Sequence, residues 1–534
     1  MLTRSYKRWA YAAWLLPIAA FAVLHLLHLQ ADFPNHSPWH SDWAKYTDEG
    51  WYGNAAIRAH LFGHWYLAGD FNPAPAVPVW PALEWVLFSF TGVSIAAARA
   101  LAVSFFFADL LLGYLLLRAR GSRWMALLAV TLAVTSPFLY CFSRLAILEP
   151  MLVALLLAAL NLGVRLERFR RPVAVSAAIG VLFTLMLLTK TTAVFLLPAL
   201  GWAMLAPLRA DWRKAMRCAA AALAAWAITF GAWMALVVHT GLLHDYTYLF
   251  FVNTYPKPHE FYWPLVSLWW SFHGGLWVDR LLLPLAGLAM LPIALACRST
   301  WSRRLWADPV FGASLLSVAG YILFMTYQFH PQPRYYTVVA LFAFFLLAME
   351  AEALVNATPA GKWKEGSKAW MPAAGAVVLG ACALAAAFNG AWTLEYAAHP
   401  EYTFVNAARG LTRYIDAHPN GNRLLVSISG DEISMITHLP ALCDDFGTLD
   451  LPTKLANYQP GWWAAWNDID PGTLEDLHIH YSLQQVATFR AFDEPDRNVL
   501  VLFKLHPLPG GEEREAGPEL QKPLPGDQIG IPVE

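Results

Sequence analysis

The chain has 534 residues, of which 57% are hydrophobic and only 14% charged, with a formal net charge of −1. A soluble domain carries about 25% charged residues, so this is the composition of a polytopic membrane protein, and its near-zero net charge argues against nucleic-acid binding. The five cysteines are scattered, with no C-x-x-C pair and no zinc-ligand spacing.

A membrane-spanning helix needs about 20 apolar residues to cross about 30 Å of hydrocarbon. Eleven segments are candidates, about 9–29, 97–117, 124–142, 150–164, 173–189, 192–208, 218–239, 281–297, 309–327, 336–354 and 370–390; of these 150–164 is short, and 173–208 is one apolar run interrupted only at Thr189-Lys190-Thr191-Thr192. The first follows Arg4, Lys7 and Arg8, and no small-x-small cleavage site succeeds it, so it reads as an uncleaved span. Loop 30–96 comes next and carries Thr47-Asp48-Glu49-Gly50-Trp51-Tyr52, with Arg58 ten residues beyond Asp48. Two acids at a membrane surface with cations nearby point to a reaction site. The same acids also suit an ordinary helix start, where the dipole is positive. Segment 79–95 is apolar, but Pro78, Pro81 and Glu84 mark it as an in-plane helix rather than a span.

In the second span Asp109 falls near the centre. Insertion there costs about 2.5–3.5 kcal/mol, so it should face the protein interior, with a structural hydrogen bond preferred over chemistry. Later loops sort by charge. Arg118, Arg120 and Arg123, then Arg165, Arg168, Arg170 and Arg171, then Arg209, Arg213, Lys214 and Arg217, then Arg298, Arg303 and Arg304, then Lys362, Lys364 and Lys368 all fall on one side of the eleven-span topology. By the positive-inside rule that side is cytoplasmic. The Asp48-Glu49 loop and everything beyond about residue 391 then lie on the outer side. The isolated outward cations are Lys45, Arg58, Arg99, Arg144, Lys190, Lys257, Arg280 and Arg334. Singly they are explained by snorkelling to headgroups. As a set they suit neutralisation of a phosphate.

Beyond 390 the composition becomes that of a small α/β domain, 391–506. Residues 404–418 carry an amphipathic stripe (Phe404, Val405, Ala408, Leu411, Tyr414, Ile415), and 422–429, 486–492 and 498–505 read as strands. The run Gly461-Trp462-Trp463-Ala464-Ala465-Trp466 reads as a sugar platform or as a membrane-interface contact. Residues 507–534, rich in Pro, Gly and Glu, read as disordered.

Three outward segments converge: loop 30–96, the turn Ser143-Arg144-Leu145-Ala146-Ile147-Leu148-Glu149-Pro150, and His330-Pro331-Gln332-Pro333-Arg334-Tyr335-Tyr336. Acids and cations at one surface suit group transfer from a lipid phosphate. Such a leaving group needs charge stabilisation more than protonation, and one carboxylate can serve as base for an incoming hydroxyl.

These motifs resemble the polytopic GT-C superfamily of glycosyltransferases that use polyprenyl-phosphate sugars, in particular the branch of protein O-mannosyltransferases and the lipid A aminoarabinose transferase. The resemblance covers about residues 1–355. Asp48-Glu49-Gly50-Trp51-Tyr52 with Arg58 looks like that branch's first-loop Asp-Glu motif, and Phe90-Thr91-Gly92-Val93-Ser94 with Arg99 like its junction to span two. Ser143-Arg144 with Leu148-Glu149-Pro150 looks like its second acidic turn, Leu188-Thr189-Lys190-Thr191 like its lysine turn, and Arg334-Tyr335 like its late Arg-Tyr. The family's Pro-Pro-Leu-Tyr stretch is replaced by Pro73-Ala74-Pro75-Ala76-Val77-Pro78-Val79-Trp80.

The resemblance implies Asp48 as catalytic base or as the group that orients the acceptor, Glu49 supporting it or contacting sugar, and Arg58, Arg99, Lys190 and Arg334 on the donor phosphate. It also implies Glu149, Arg144, Tyr52 and Tyr335 in substrate positioning. The partners it implies are membrane lipid, a polyprenyl-phosphate sugar as donor, and an acceptor on the outer face that is lipid, glycan or protein. His36, His40 and Asp42, and separately His259-Glu260, are the only places for a divalent metal, and none has a convincing ligand spacing. A transporter or flippase of lipid-linked sugars is the alternative, although such proteins bind near the midplane, and an envelope scaffold is a third. Richness in Trp, Ala and Arg with few Lys suggests a high-GC bacterium, and hence an inner membrane.

Overall fold

The computed structural model describes residues 4–34, 36–252, 265–266, 289–290, 300–328, 332–356, 370–492 and 497–508. Within them the membrane part contains α1 (Arg4–Leu26), α2 (Asp48–Phe62), α3 (Val79–Thr91), α4 (Ile95–Arg118), α5 (Arg123–Thr135), α6 (Pro137–Ser143), α7 (Leu148–Gly163), α8 (Pro172–Thr189), α9 (Leu197–Leu205) and α10 (Trp212–His239). It continues through α11 (Leu243–Thr247), α12 (Thr300–Trp306), α13 (Pro309–Gln328), α14 (Tyr336–Val355) and α15 (Trp370–Ala398). Among the described residues eight helical segments are long and apolar enough to cross a membrane, or nine if the bent α5–α6 pair is one span; α7 is a shorter apolar helix. Of the expected span 281–297 only residues 289 and 290 are among the described residues. Segment 79–95 forms the thirteen-residue α3. At 1.5 Å per residue it reaches about 20 Å, too short to cross the hydrocarbon.

Local chemistry sets the helix ends. Ser94 caps α4 by accepting from the Ala97 N–H, and Ser122 caps α5 by accepting from the Met125 N–H. Ser136 caps α6 and Pro137 opens it, and the backbone turns 66° between α5 and α6 at this point, as expected where proline bars helix in the residue before it. α14 is apolar all round and buried along nearly its whole length, the pattern of a helix at the centre of a bundle. α10 is the opposite: Trp212, Met216, Leu223 and Ile228 are exposed along it. Asp109 faces the bundle interior, where it is buried.

After α15 the chain forms α16 (Thr403–Ala417), β1 (Leu425–Val426), α17 (Gly430–Thr437), β2 (Ala441–Leu442), α18 (Leu451–Tyr458), β3 (Trp462–Trp466), α19 (Pro471–His478), β4 (Tyr481–Arg490) and β5 (Val499–Pro507). The sheet order is β2-β1-β3-β5-β4. β1 is parallel to β2 and β3, whereas β5 is antiparallel to β3 and β4. The amphipathic helix and the last strand appear where the sequence places them, whereas the strand expected at 486–492 begins earlier, at Tyr481, and ends at Arg490. The strand expected at 422–429 shrinks to Leu425–Val426, because the chain turns at Ser427–Gly430 into α17.

The tryptophan run corrects both of its readings. Trp462, Trp463 and Trp466 are buried in β3, the middle strand, and form neither an open platform nor a membrane contact. Alternation along the strand sends Trp462, Ala464 and Trp466 into a core with Phe404, Leu411 and Ile415 of α16. Trp463 and Ala465 go into a second core with Leu455, Leu477 and Phe503. A strand covered on both faces reads as continuously apolar.

The two parts meet where α2 packs on α17. A Cβ on Gly50 would sit 2.2 Å from the Glu432 backbone N, and one on Gly53 would sit 2.2 Å from Glu84 Oε2 of α3. Gly50 therefore admits a backbone and Gly53 a side chain. Alanine gains about 1 kcal/mol of helix propensity over glycine, against about 1–3 kcal/mol for overpacking. Gly50→Ala is therefore expected to lower the thermal midpoint in detergent. Gly53→Ala, which meets the movable end of Glu84, should lower it less.

Candidate active site

Asp42 opens the site by capping a 3-10 turn, Trp43–Lys45, accepting from the Ala44 N–H. Asp48 and Glu49 then occupy the first turn of α2, where the helix dipole favours negative charge. Their side chains diverge. Glu49 takes Arg99 Nε at 2.7 Å and Arg99 Nη2 at 2.5 Å, and also accepts from the Ala146 N–H at 2.7 Å. Arg99 Nη1 donates to the carbonyls of Leu29 and Ala31. Glu49 and Arg99 thus saturate each other and bind the ends of α1, α2 and α4 to the α6–α7 turn.

Asp48 faces a different group. Arg334, in a 3-10 turn leading into α14, holds Asp42 Oδ1 through Nη1 at 2.7 Å, and its backbone N–H donates to Asp42 Oδ2 at 2.8 Å. Its Nε lies 3.0 Å from Asp48 Oδ2. Thr47 donates to Asp48 Oδ1 at 3.2 Å. Alongside, Lys190 donates to Glu149 Oε1 at 2.6 Å and stands over the rings of Tyr335, 4.8 Å from its centroid, and Tyr52, 5.9 Å from its centroid. Lys190 is placed by the break between α8 and the 3-10 turn Thr191–Leu196, where its backbone is extended. Three carboxylates thus face two cations, and Arg334 and Lys190 are only about 5% exposed. Burial pushes the Asp48 carboxyl above its ordinary range; Asp42 and Glu149 add to the shift, and Arg334 and Lys190 oppose it.

The structure therefore brings together Asp48, Arg334, Lys190, Glu149, Tyr52 and Tyr335 from four stretches of sequence. It places Glu49 with Arg99 beside them. Arg58 and Arg144 are engaged elsewhere. Arg58 Nη2 pairs with Asp70 at 2.8 Å and with Asp431 of α17 at 3.0 Å, joining α2 to the C-terminal region. Burial is the main influence on Asp431 and lifts its carboxyl to about 6 against the pull of Arg58. Arg144 donates to Tyr140 and to the carbonyls of Leu27 and His28.

Three acids escaped the sequence reading as site residues. Asp42 was noted only as a metal candidate, and its signal is its spacing of six residues before Asp48. Asp431 and Glu432 follow the short β1, and nothing local marks them as neighbours of α2. Among the described residues no group of three His, Cys, Asp or Glu side chains is arranged to hold a metal ion. Asp42 is committed to Arg334, His40 bonds the Ser37 carbonyl, and His259 and Glu260 lie outside the described residues.

No protein-family model and no curated protein sequence matches this chain. Solved structures do. ArnT from Cupriavidus metallidurans bound to undecaprenyl phosphate superposes with a TM-score of 0.56 at 14% identity, over 92% of this chain and 98% of that one. The apo oligosaccharyltransferase of Archaeoglobus fulgidus gives 0.51 at 14% identity, over 88% and 71%. The same organism's AglB, with an inhibitory peptide and a dolichol-phosphate, gives 0.50 at 12% identity, over 90% and 73%. The chain has the GT-C fold. Within this fold the Asp48 cluster gathers the first loop, the α6–α7 turn, the lysine turn and the start of α14 at one end of the bundle.

The two neighbouring acids should separate in stability measurements. Removing one partner of a buried pair costs about 3–5 kcal/mol, so Glu49→Gln, which strands the Arg99 charge, should sharply lower the melting temperature. Asp48 behaves oppositely. Its folded carboxyl titrates above the unfolded one, so its contribution is present at low pH and lost as pH rises through the folded value. Asp48→Asn is expected to melt at or above the wild type at neutral pH, with that gain vanishing toward acid.

Proposed function

We propose that the chain is an integral-membrane glycosyltransferase that moves one sugar from a polyprenyl-phosphate donor to a hydroxyl of a lipid, glycan or protein acceptor, with inversion. The observation that carries this reading is the Asp48 carboxylate, 3.0 Å from Arg334 Nε and beside the Lys190–Glu149 pair. The fold supports it, because two GT-C structures hold undecaprenyl phosphate and dolichol-phosphate respectively.

The step is a single displacement. The acceptor oxygen bonds to the anomeric carbon while the bond from that carbon to the phosphate oxygen breaks. Asp48 takes the hydroxyl proton, and the electron pair leaves on polyprenyl phosphate. Arg334 and Lys190 meet that charge, as preorganised cations in a dry site should. An arriving phosphate competes with Asp48 and Glu149 for these cations and releases Asp48 to act as base. Arg58, Arg99 and Arg144 are each committed to other partners, so phosphate binding falls to Arg334 and Lys190, with Glu149, Tyr52 and Tyr335 shaping the site around them. An apolar groove of about 360 Å³ beside α2, lined by Ala55, Ala59, Pro75, Trp85, Trp233 and Leu236 among others, suits an isoprenoid tail. The one-sided basic loops support a cytoplasmic N-terminus with the site on the outer face, and the Trp-, Ala- and Arg-rich composition suits a bacterial inner membrane.

The test uses purified protein in detergent with radiolabelled polyprenyl-phosphate sugars, following release of free polyprenyl phosphate. A positioned base is worth about 10²–10⁴-fold, so Asp48→Asn should lose at least a hundredfold of the release. No release from any donor, despite donor binding, would favour transport instead. Because burial raises the Asp48 carboxyl, the acid limb of turnover should lie above the range near pH 3.9 of an exposed aspartate. A limb at or below that range would remove Asp48 as the base.

A further inference from the structure

Building on the transferase reading, we infer that Glu432, supplied by the C-terminal α/β region, is a positioning residue for the catalytic turn of α2. Three observations support this. First, Gly50, two residues after Asp48, lacks a side chain where the Glu432 backbone N approaches. Second, Glu432 is fully buried, and neither of its carboxyl oxygens has a hydrogen-bond partner. Third, its electrostatic neighbours are the residues of the site itself: Asp48 and Glu49 from α2, Arg99 from α4, and Asp32 from the chain after α1. α16 and β2 also pack around α17, and they meet Ile433 through apolar residues such as Leu411 and Ala441.

Four of the five N–H groups of Arg99 are taken, and Glu432 receives none of them. Glu49 holds its Nε and Nη2, and the carbonyls of Leu29 and Ala31 hold its Nη1. An ionised Glu432 would be a second buried negative charge beside Glu49 with nothing to receive it, which is strongly unfavourable. Glu432 therefore sits as a neutral acid. Burial raises its carboxyl first and Glu49 second, against Arg99. In that state α17 rests on α2 and holds Asp48 toward Arg334. When Glu432 loses its proton, repulsion from Glu49 and Asp48 drives α17 off Gly50 and the turn loses its support.

The test compares the full-length wild type with Glu432→Gln, which keeps the shape and cannot ionise, and with Glu432→Ala. Two quantities are followed against pH: hydrogen exchange at the α17 amides, corrected for intrinsic rates, and kcat and KM for polyprenyl-phosphate release. The wild type should lose α17 protection and kcat on the alkaline side, and the ratio of E432Q to wild-type kcat should rise with pH. Ala should lower kcat at every pH, with Gln restoring it. Wild-type α17 exchange that does not change with pH overturns the inference, even if E432Q fails to fold. So does a flat kcat ratio. The exchange measurement needs no turnover, so it stands if the transferase reading fails.

Discussion

The bidentate pairing of Glu49 with Arg99 is the interaction on which the rest of the site depends. Four stretches of chain end at it. The chain just after α1 offers carbonyls to the arginine, α4 supplies the arginine, α2 supplies the glutamate, and the α6–α7 turn offers an amide to the glutamate. Every polar atom at the junction has a partner, so a buried charge pair is tolerated where a partly satisfied one would not be. With the first turn of α2 fixed in this way, the direction of the Asp48 side chain follows from the helix.

Neighbouring acids thus have opposite roles because their surroundings differ. Glu49 is held by matched donors from Arg99 and the Ala146 N–H. Asp48 shares one arginine with Asp42, and that arginine gives its best geometry to Asp42. An underserved buried carboxylate is unfavourable to fold around and well suited to accept a proton, and functional groups are often found in such positions.

The membrane bundle was largely legible from the sequence because hydrocarbon imposes a length and a composition on each span, and charged loops alternate. The site was legible where it rests on ordered motifs: Asp48, Glu149, Lys190 and Arg334 come together in the fold as their order suggests. What stayed hidden depends on contacts between distant segments. Arg58 looks like a free cation beside an Asp-Glu motif, and only the fold reveals Asp431 against it. Trp462, Trp463 and Trp466 look like a surface feature because a strand buried on both faces shows no alternation of polarity. Glu432 gives no local sign at all, since its importance comes from the missing side chain of Gly50 in another part of the chain.

The Arg58–Asp431 pair also has a consequence in time. Its partners are 373 residues apart. At about 5–20 residues per second, a ribosome needs roughly 20–75 s between making one and the other. The helix that bears Asp48 is therefore made and inserted long before α17 exists to lie against Gly50. A nascent chain that has not yet reached residue 430 already holds the carboxylate and the helices around it, but not the surface that closes over them. Residues beyond 430 complete a site begun near residue 48.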